Sequence, residues 1–521
     1  MEMAALGIVG VAVGVPGLIQ VTLSLGDAIR KRLVHYEDDF KRLLDIVIRI
    51  NKSQTQDMLQ YFFTEDETVP TELQDELIEM FQALRDIFER LLLMFPDSVS
   101  SDNSGNKSKI TPALKAKAEE KVKALEEWND RFFKRALVFV MFGKRKLPKT
   151  IDENENSEDE YGVIALKKVE RLRDTIHESL EGAKKGTRLL LDPPETADDR
   201  TPLPNSSLQL STRNDTKQTV LIEYRTYSDD AHEGEITKHR RVVREIASIL
   251  HHADTRLMGI LYCEGFLLDS LSNRFELRFP FPEGLSKPRT LLDLFLDPES
   301  RRSTVKHPLN QRITLAKRIV KAVFVLHAAG FVHKQIRPDN VVIFERDSSE
   351  TQGAAERTKY PYALGEPFLV GFDSTRKVDA ASLMQPVEDW KKSIYLSPER
   401  HRLQQGDEFQ MHHDIFSLGV LLLEMAFWAS FQDKGSLLGK RVWKDASTMR
   451  SPGELKNIYL SLASGAVPRL MGQKYADAVS ACLTGLQSEG RSAKDLEDSD
   501  GIVVGTKYVT AIIKKLEEIS I

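Results

Sequence analysis

The chain up to about residue 145 carries hydrophobic positions at three- and four-residue spacing, which is typical of helices that bury one face. The first of these stripes consists of Leu18, Val21, Leu25, Ile29 and Leu33. A second stripe covers 73–95 and a third covers 114–139, and Thr71 and Thr111 stand before them where N-cap residues are expected. The pattern predicts a four- or five-helix bundle over residues 1–148.

The chain beyond residue 217 has a different pattern, in which strands and helices are mixed. The segment TVLIEYRTY (219–227) alternates like a half-buried strand, and FELRFPFPEG (275–284) predicts another strand that runs into a turn. Most of the later sequence has helical spacing. We therefore predict an α+β multidomain chain, with its second domain over 217–515.

The segment 149–216 has the composition of a connector between the two domains. It begins with the acidic run DENENSEDE (152–160), continues with a predicted helix around 163–185, and ends in a Pro/Ser-rich stretch over 192–216. We expect a linker whose central helix could transmit movement between the domains.

The N-terminal segment has no charged residue between Glu2 and Asp27. Its length is about that of a membrane-spanning helix, but four glycines weaken a helix there and Pro16 is expected to kink it. A signal peptide fits poorly because no basic residue precedes the run. Three interpretations stay open: a permanent span, a buried first helix of the bundle, and a segment that is buried in one state and inserted in a bilayer in another.

Composition narrows the class of protein. The chain has 521 residues, of which 41% are hydrophobic and 29% are charged, with a net charge of −5. These values describe a globular chain of more than one domain and give no sign of nucleic-acid binding. With two distant cysteines, Cys263 and Cys482, a disulfide framework is excluded and a reducing, cytoplasmic location is expected.

Four ordered motifs in the second domain resemble those of protein kinases. They are HKQIRPDN (333–340), FLVGFDSTR (368–376), YLSPER (395–400) and DIFSLGVLLLEM (414–425). The resemblance implies a bilobal protein-kinase-like fold. It also implies structural roles for five residues, with Glu399 paired to Arg491 and the others holding the catalytic loop: His333, Pro338, Glu399, Asp414 and Arg491.

The positions that carry phosphoryl-transfer chemistry in that family are altered here. Gln335 replaces the catalytic aspartate, Gly371 replaces the metal-binding aspartate, and Glu223 replaces the strand lysine. The glycine-rich loop is also missing, since no glycine lies between Gly186 and Gly234. A neutral amide is no general base, so we expect a pseudokinase, which is not an enzyme, with no metal site and no cofactor.

Two alternatives to a pseudokinase domain that binds no nucleotide stay open. ATP binding without catalysis would use Arg225, Glu245 and Asn340, and Glu245 could also pair with Arg225 in a purely structural role. An atypical active kinase would need Asp373, two positions after Gly371, to hold a metal ion.

The segment MEMAALGIVGVAVGVPGLIQVTLSLGDAIRKRL (1–33) resembles the start of the HeLo and HeLo-like domains of fungal cell-death proteins. A bundle of this kind joined to a pseudokinase is similar to the mixed-lineage-kinase-domain-like proteins. That resemblance implies a pseudokinase switch and a bundle that oligomerises and permeabilises membranes. The membrane contacts expected from it are Leu6, Ile8, Val9, Val11, Val13, Arg30, Lys31, Arg32, Lys144, Arg145 and Lys146.

The favoured hypothesis is therefore a non-catalytic cell-death or defence signalling protein that is recruited from the cytoplasm to the plasma membrane. Its expected partners are membrane lipids, further copies of itself and an unidentified upstream protein, with no nucleic acid. The first alternative is a pseudokinase scaffold whose bundle binds other proteins and whose basic clusters are ordinary solvated surface. The second alternative is an atypical active protein kinase.

Overall fold

The computed structural model describes the following residues: 15–33, 40, 43–44, 47, 71–95, 112–142, 170, 173–174, 189–192, 199–212, 218–298, 306–347, 359–377, 389–401, 409–445, 447–485 and 511–519. They belong to two compact units, Met1–Arg173 and Asp174–Ile521. Nine of the predicted site residues lie outside the described residues: Leu6, Ile8, Val9, Val11, Val13, Lys144, Arg145, Lys146 and Arg491. The same holds for most of the predicted helix 163–185, of which residues 170, 173 and 174 are described and are helical.

The first unit contains the helices α1 (Val15–Leu33), α2 (Thr71–Met94) and α3 (Pro112–Phe142). Where their side chains are described, the predicted stripes form buried faces, although Leu18, Val21 and Leu114 are half-exposed. The fully buried members are Leu25, Ile29, Leu33, Phe81, Leu84, Phe88, Leu91, Phe95, Ala118, Val122, Leu125, Trp128 and Phe132.

Aromatic rings and one hydrogen bond fix α3 against α2. The Trp128 ring packs edge-on to Phe81 at 5.5 Å and stacks on Phe132 at 5.2 Å. Its indole Nε1–H donates to the Met80 carbonyl oxygen at 2.7 Å, which satisfies the only polar atom of a buried side chain. The bundle core is thus specified by geometry as well as by apolar area.

Pro16 is the second described residue of α1, and residues 1–14 lie outside the described residues. The expectation that Pro16 kinks the N-terminal segment therefore stays a prediction. Among the described residues, none of the helices combines the length and the hydropathy that crossing a bilayer requires.

The second unit is α+β, with helices and antiparallel sheets. One sheet has the strand order β1-β2-β3-β5-β4, a second has the order β6-β8-β9, and β7 pairs with β10. The strands are β1 (Asp199–Pro202), β2 (Gln209–Thr212), β3 (Thr219–Thr226), β4 (Gly265–Asp269), β5 (Arg274–Pro280), β6 (Leu285–Thr290), β7 (Phe331–Val332), β8 (Val341–Arg346), β9 (Glu366–Leu369) and β10 (Arg376–Lys377).

The strands β1 and β2 lie inside the segment predicted as a linker. Thr212 of β2 pairs with Thr219 of β3, and Leu203 and Leu208, which lie between β1 and β2 in the sequence, are buried. The prediction of a linker over 192–216 is thus wrong for residues 199–212. Each strand has four residues, too few for an alternating pattern to stand out among prolines and serines.

Several helices of the second unit pack against α9 (Met411–Phe427), whose residues are almost all buried. The β-carbon that a larger residue would place at Gly419 would lie 2.7 Å from Cβ of Cys482, so glycine lets α9 and α13 approach closely. The helices are α4 (Glu233–His251), α5 (Thr255–Met258), α6 (Leu291–Leu296), α7 (Leu309–Ala328), α8 (Trp390–Ser393), α9 (Met411–Phe427), α10 (Gly439–Val442), α11 (Pro452–Gly465), α12 (Val467–Met471) and α13 (Gln473–Thr484).

Candidate functional site

Glu223 holds the segment that follows β9. It lies on the central strand β3, and its side chain is buried. Oε1 accepts a hydrogen bond from the Gly371 amide and Oε2 accepts one from the Phe372 amide, both at 2.8 Å. Burial raises the pKa of this carboxyl to about 7, against the two amide bonds that lower it. The acidic side chain of Glu223 therefore binds protein backbone.

Gly371 and Asn340 leave no space for another side chain between them. Gly371 has a left-handed backbone with φ 86°, and a β-carbon there would lie 2.4 Å from Cγ of Asn340. The Asn340 amide Nδ2 donates to the Gln335 carbonyl oxygen at 2.9 Å. The resemblance to protein kinases aligns these two positions with metal ligands of that family, and here the asparagine amide fills the space that an aspartate at 371 would need.

Gln335 makes hydrogen bonds with both ends of its amide. Nε2 donates to Asp373 Oδ1 at 3.1 Å and to Ser374 Oγ at 2.5 Å, and Oε1 accepts from Arg337 at 2.8 Å. The Gln335 side chain is thus a bridge between the 333–340 loop and the segment 371–375. Sequence reasoning missed Ser374 and Arg337, because only the folded chain brings them to Gln335.

Arg225 lies two residues after Glu223 and bonds the same segment. Its Nη1 donates to the Thr375 carbonyl oxygen at 2.8 Å. Burial lowers the pKa of the guanidinium below its ordinary value, while nearby Asp373 raises it. For Glu245, the suggested partner of Arg225, the structure shows an ion pair with Arg241 at 3.3 Å. The Arg225–Glu245 pair stays a prediction.

Asp414 at the start of α9 binds the 333–340 loop, the role that the resemblance assigns to it. Its carboxylate accepts from the His333 amide at 2.6 Å, from the Lys334 amide at 2.8 Å and from His327 Nε2 at 3.1 Å. His333 Nε2 donates in turn to the Val370 carbonyl oxygen at 2.9 Å. Burial lowers the pKa of His333, which favours the neutral ring. His333 and Asp414 therefore fix the loop.

A group of basic side chains surrounds Lys334, which has an unusual backbone φ of 70°. Burial lowers the pKa of its ammonium to about 8, and the charges of Arg376 and Arg400 lower it further. Lys334 Nζ and Arg400 Cζ both lie over the Phe409 ring, at 5.6 and 5.8 Å. This positive corner was not evident from the sequence, because its members come from three separate segments.

A buried chain of polar side chains continues from Gln335 toward α9. Arg337 pairs with Asp339 at 3.1 Å, and Gln432 Nε2 donates both to Asp339 and to the Tyr395 hydroxyl at 3.3 Å. The Tyr395 hydroxyl donates to Glu424 Oε1 at 2.8 Å. Burial raises the pKa of Glu424 to about 8. Such a network gives this part of the fold a specific arrangement.

Glu399 contacts His412 at 3.4 Å, and with His413 the three ligand atoms lie within 4.8 Å of one another. A metal ion fits this group poorly. Nδ1 of His413 accepts a hydrogen bond from the Gln410 amide at 2.9 Å, so the proton of the neutral ring is on Nε2. That arrangement caps α9 and leaves the ring without a free lone pair for a cation.

Part of the chain is similar to named protein kinases. Over 176 residues it is 24% identical to the serine/threonine-protein kinase PknL of Mycobacterium tuberculosis, and the same values hold for PknL of Mycobacterium bovis. The matched region is 33% of this chain and spans only 39% of the length of those relatives. A distant kinase-like relationship is thus plausible for this part.

The family model of the Domain of unknown function DUF7580 matches residues 164–519. The match covers more than half of the chain and includes the polar side chains around Glu223 and Gln335. The chain belongs to the DUF7580 family.

Proposed function

We propose that the second unit is a catalytically inactive protein-kinase-like domain that regulates an N-terminal, membrane-targeting helical domain in cell-death or defence signalling. The observation that carries the proposal is the Glu223 carboxylate, which binds the backbone amides of Gly371 and Phe372. In an active kinase the lysine at this position would hold nucleotide phosphates. A carboxylate at this position repels phosphate. The segment 371–375, which would carry the metal ion, is bound to the Glu223 carboxylate instead.

The neighbouring positions support the same conclusion. The Asn340 amide leaves no room for a metal-binding aspartate at 371. The Gln335 amide is engaged with Asp373 and Arg337, and an amide does not accept a proton from a substrate hydroxyl near neutral pH. Each polar group that would serve catalysis thus has a structural partner, and the domain is expected to act as a switch or scaffold that uses no cofactor.

The fold supports a bilobal kinase-like arrangement. A five-stranded antiparallel sheet with α4 beside it precedes a mainly helical remainder, and the loop 333–340 and the segment 371–375 follow in the order of kinase motifs. The named kinase relatives match part of this chain at low identity. We do not expect this chain to have their kinase activity, because the residues that would perform it are replaced.

The helical unit supports the membrane part of the proposal. Arg30 and Lys31 are exposed at the end of α1. Near an anionic leaflet, each basic side chain contributes about 1 kcal/mol to the free energy of membrane binding. Arg32 instead donates to the Leu92 and Phe95 carbonyl oxygens at the end of α2, at 2.9 and 2.8 Å. Release of α1 would free this third charge together with the apolar residues that α1 buries. Lipids, further copies of the chain and an upstream protein are the partners in this mechanism, which would move the protein from the cytoplasm to the plasma membrane.

Two measurements on the full-length chain test the proposal. Phosphotransfer from labelled ATP with Mg²⁺ or Mn²⁺ is expected to be absent, and ATP is not expected to raise the melting temperature. A transfer signal that Asp373→Ala abolishes would instead establish an atypical kinase. Dye release from anionic liposomes, with the chain fused to an inducible oligomerisation tag, is expected only after oligomerisation. Absence of dye release under all conditions would contradict the membrane part of the proposal and would favour the alternative function, a pseudokinase scaffold whose bundle binds other proteins.

A further inference from the structure

Two half-buried tryptophans form a corner on the surface of the second unit. Trp390 begins α8 and Trp443 directly follows α10, and their ring centroids lie 5.2 Å apart with the planes at 69°. We call this pair the tryptophan corner. Lys434 reaches into it, with Nζ 3.7 Å from the Trp443 ring centroid and 5.0 Å from that of Trp390. Both distances are within the range of cation–π attraction.

The walls of the corner are held by contacts that do not involve Lys434. The Asp389 carboxylate caps the turn of Trp390 by accepting from the Lys391 amide at 2.9 Å. Trp443 pairs with Met449 across a short bridge, and the Lys444 amide donates to the Thr448 carbonyl oxygen at 2.9 Å. The two ring faces are therefore preorganised, and removal of the lysine side chain would leave them in place.

The Trp443 indole is not explained by packing alone. Its Nε1–H is buried and has no hydrogen-bond partner among the described residues. A buried donor without an acceptor is costly, and a phenylalanine would fill a similar space without that cost. What the indole provides beyond phenylalanine is the strongest π face for a cation.

Lys434 is a weakly held occupant. Its side chain is exposed, and none of the described carboxylates forms an ion pair with it. A lysine ammonium is also strongly hydrated, so it gains little from a ring face while water competes for it. An ammonium that carries methyl groups loses less hydration when it enters, and it would displace Lys434.

We propose that the tryptophan corner is a binding site for an N-methylated lysine side chain of a partner protein, which Lys434 occupies in its absence. A lysine-type ligand is favoured over a free cation, because the present occupant is itself an ammonium on an aliphatic stem.

Isothermal titration calorimetry on the full-length chain tests this site. The probe is a short peptide with one trimethyllysine and no other charged residue, compared with the same peptide carrying unmodified lysine. We expect the trimethyllysine peptide to bind at least tenfold more tightly. Trp443→Phe is expected to weaken that binding, and Trp443→Ala is expected to abolish it, with circular dichroism to check that both variants fold.

Lys434→Ala is the decisive variant, since it removes a competitor rather than a contact. If an exposed cation–π pair holds Lys434 in the corner, its removal should strengthen peptide binding about three- to sixfold. Lys440→Ala, an exposed lysine on α10, is the matched control and should leave affinity unchanged.

Three outcomes would overturn the proposal. The first is equal binding of the methylated and unmodified peptides. The second is affinity that Lys434→Ala leaves unchanged or weakens. The third is binding of phosphocholine with no preference for the peptide, which would indicate a lipid headgroup site.

Discussion

The Asn340 side-chain amide lies so close to Gly371 that a β-carbon at residue 371 would be 2.4 Å from Cγ of Asn340. Gly371 also has φ 86°, a conformation in which L-residues with side chains are strained. A side chain at position 371 is therefore opposed by two independent factors, the backbone conformation and the contact with Asn340. This relationship gives the first prediction.

Gly371→Ala is expected to lower the free energy of unfolding by more than the 1–2 kcal/mol or so that backbone strain alone costs. Gly284→Ala is the matched control, because Gly284 has φ 72° but open space around its β-carbon position. The difference between the two variants in urea titrations measures the contact with Asn340. The double variant Gly371→Ala, Asn340→Ala should recover most of that difference. Equal losses for the two single variants would contradict the clash.

Glu223 gives stability a specific pH dependence. Its pKa is raised from 4.5 to about 7, so the folded state binds a proton more tightly than the unfolded state. The stabilisation by this group is fully present below pH 4.5 and is lost as the pH rises through about 7. Between these two pH values the free energy of unfolding falls by up to about 1.4 kcal/mol per pH unit. Urea titrations at pH 5, 6, 7 and 8 measure the slope.

Glu223→Gln separates this group from others that titrate in the same direction, such as Glu424. The variant should lack that part of the slope, while its amide nitrogen faces a backbone N–H and costs about 1–3 kcal/mol near neutral pH. Parallel stability curves for the native chain and the variant would show that Glu223 does not titrate in this range.

Restoring an aspartate at 335 is expected to destabilise the fold without creating an enzyme. Gln335→Asp would remove the donor that bonds Asp373 at 3.1 Å and would place a second carboxylate near it. We expect a lower melting temperature, with partial recovery in the double variant Gln335→Asp, Asp373→Asn. Gln335→Ala is the control for the lost hydrogen bonds alone. A melting temperature of Gln335→Asp above that of Gln335→Ala would argue against repulsion.

The sequence predicted the buried faces of the first unit and the α+β class of the second, because both follow from the period of the apolar residues. It also indicated Glu223, Gln335 and Gly371 as departures from a known motif. It did not predict that Glu223 bonds the Gly371 amide, since that contact joins residues 148 positions apart and depends on how β3 lies against the segment after β9. The strands β1 and β2 were missed because their side chains alone do not form a pattern, and only the pairing of β1 with β2 and of β2 with β3 defines them.

Arg32 gives a prediction about the first unit. Its guanidinium bonds the carbonyl oxygen of Leu92 in the last turn of α2, where carbonyl groups lack an intrahelical donor, and that of Phe95, which directly follows the helix. Arg32→Ala should cost about 1–3 kcal/mol, since hydrogen bonds from a charged group are the stronger kind. Hydrogen exchange should then be faster in α1 and in the last turn of α2. Under the proposed function, dye release from anionic liposomes should also need less oligomerisation.

Arg30→Ala, which removes an exposed neighbouring charge, is the control and should leave exchange unchanged while slightly weakening liposome binding. Faster exchange in the Arg30 variant, or none in the Arg32 variant, would contradict the role of Arg32 in holding α1 to α2.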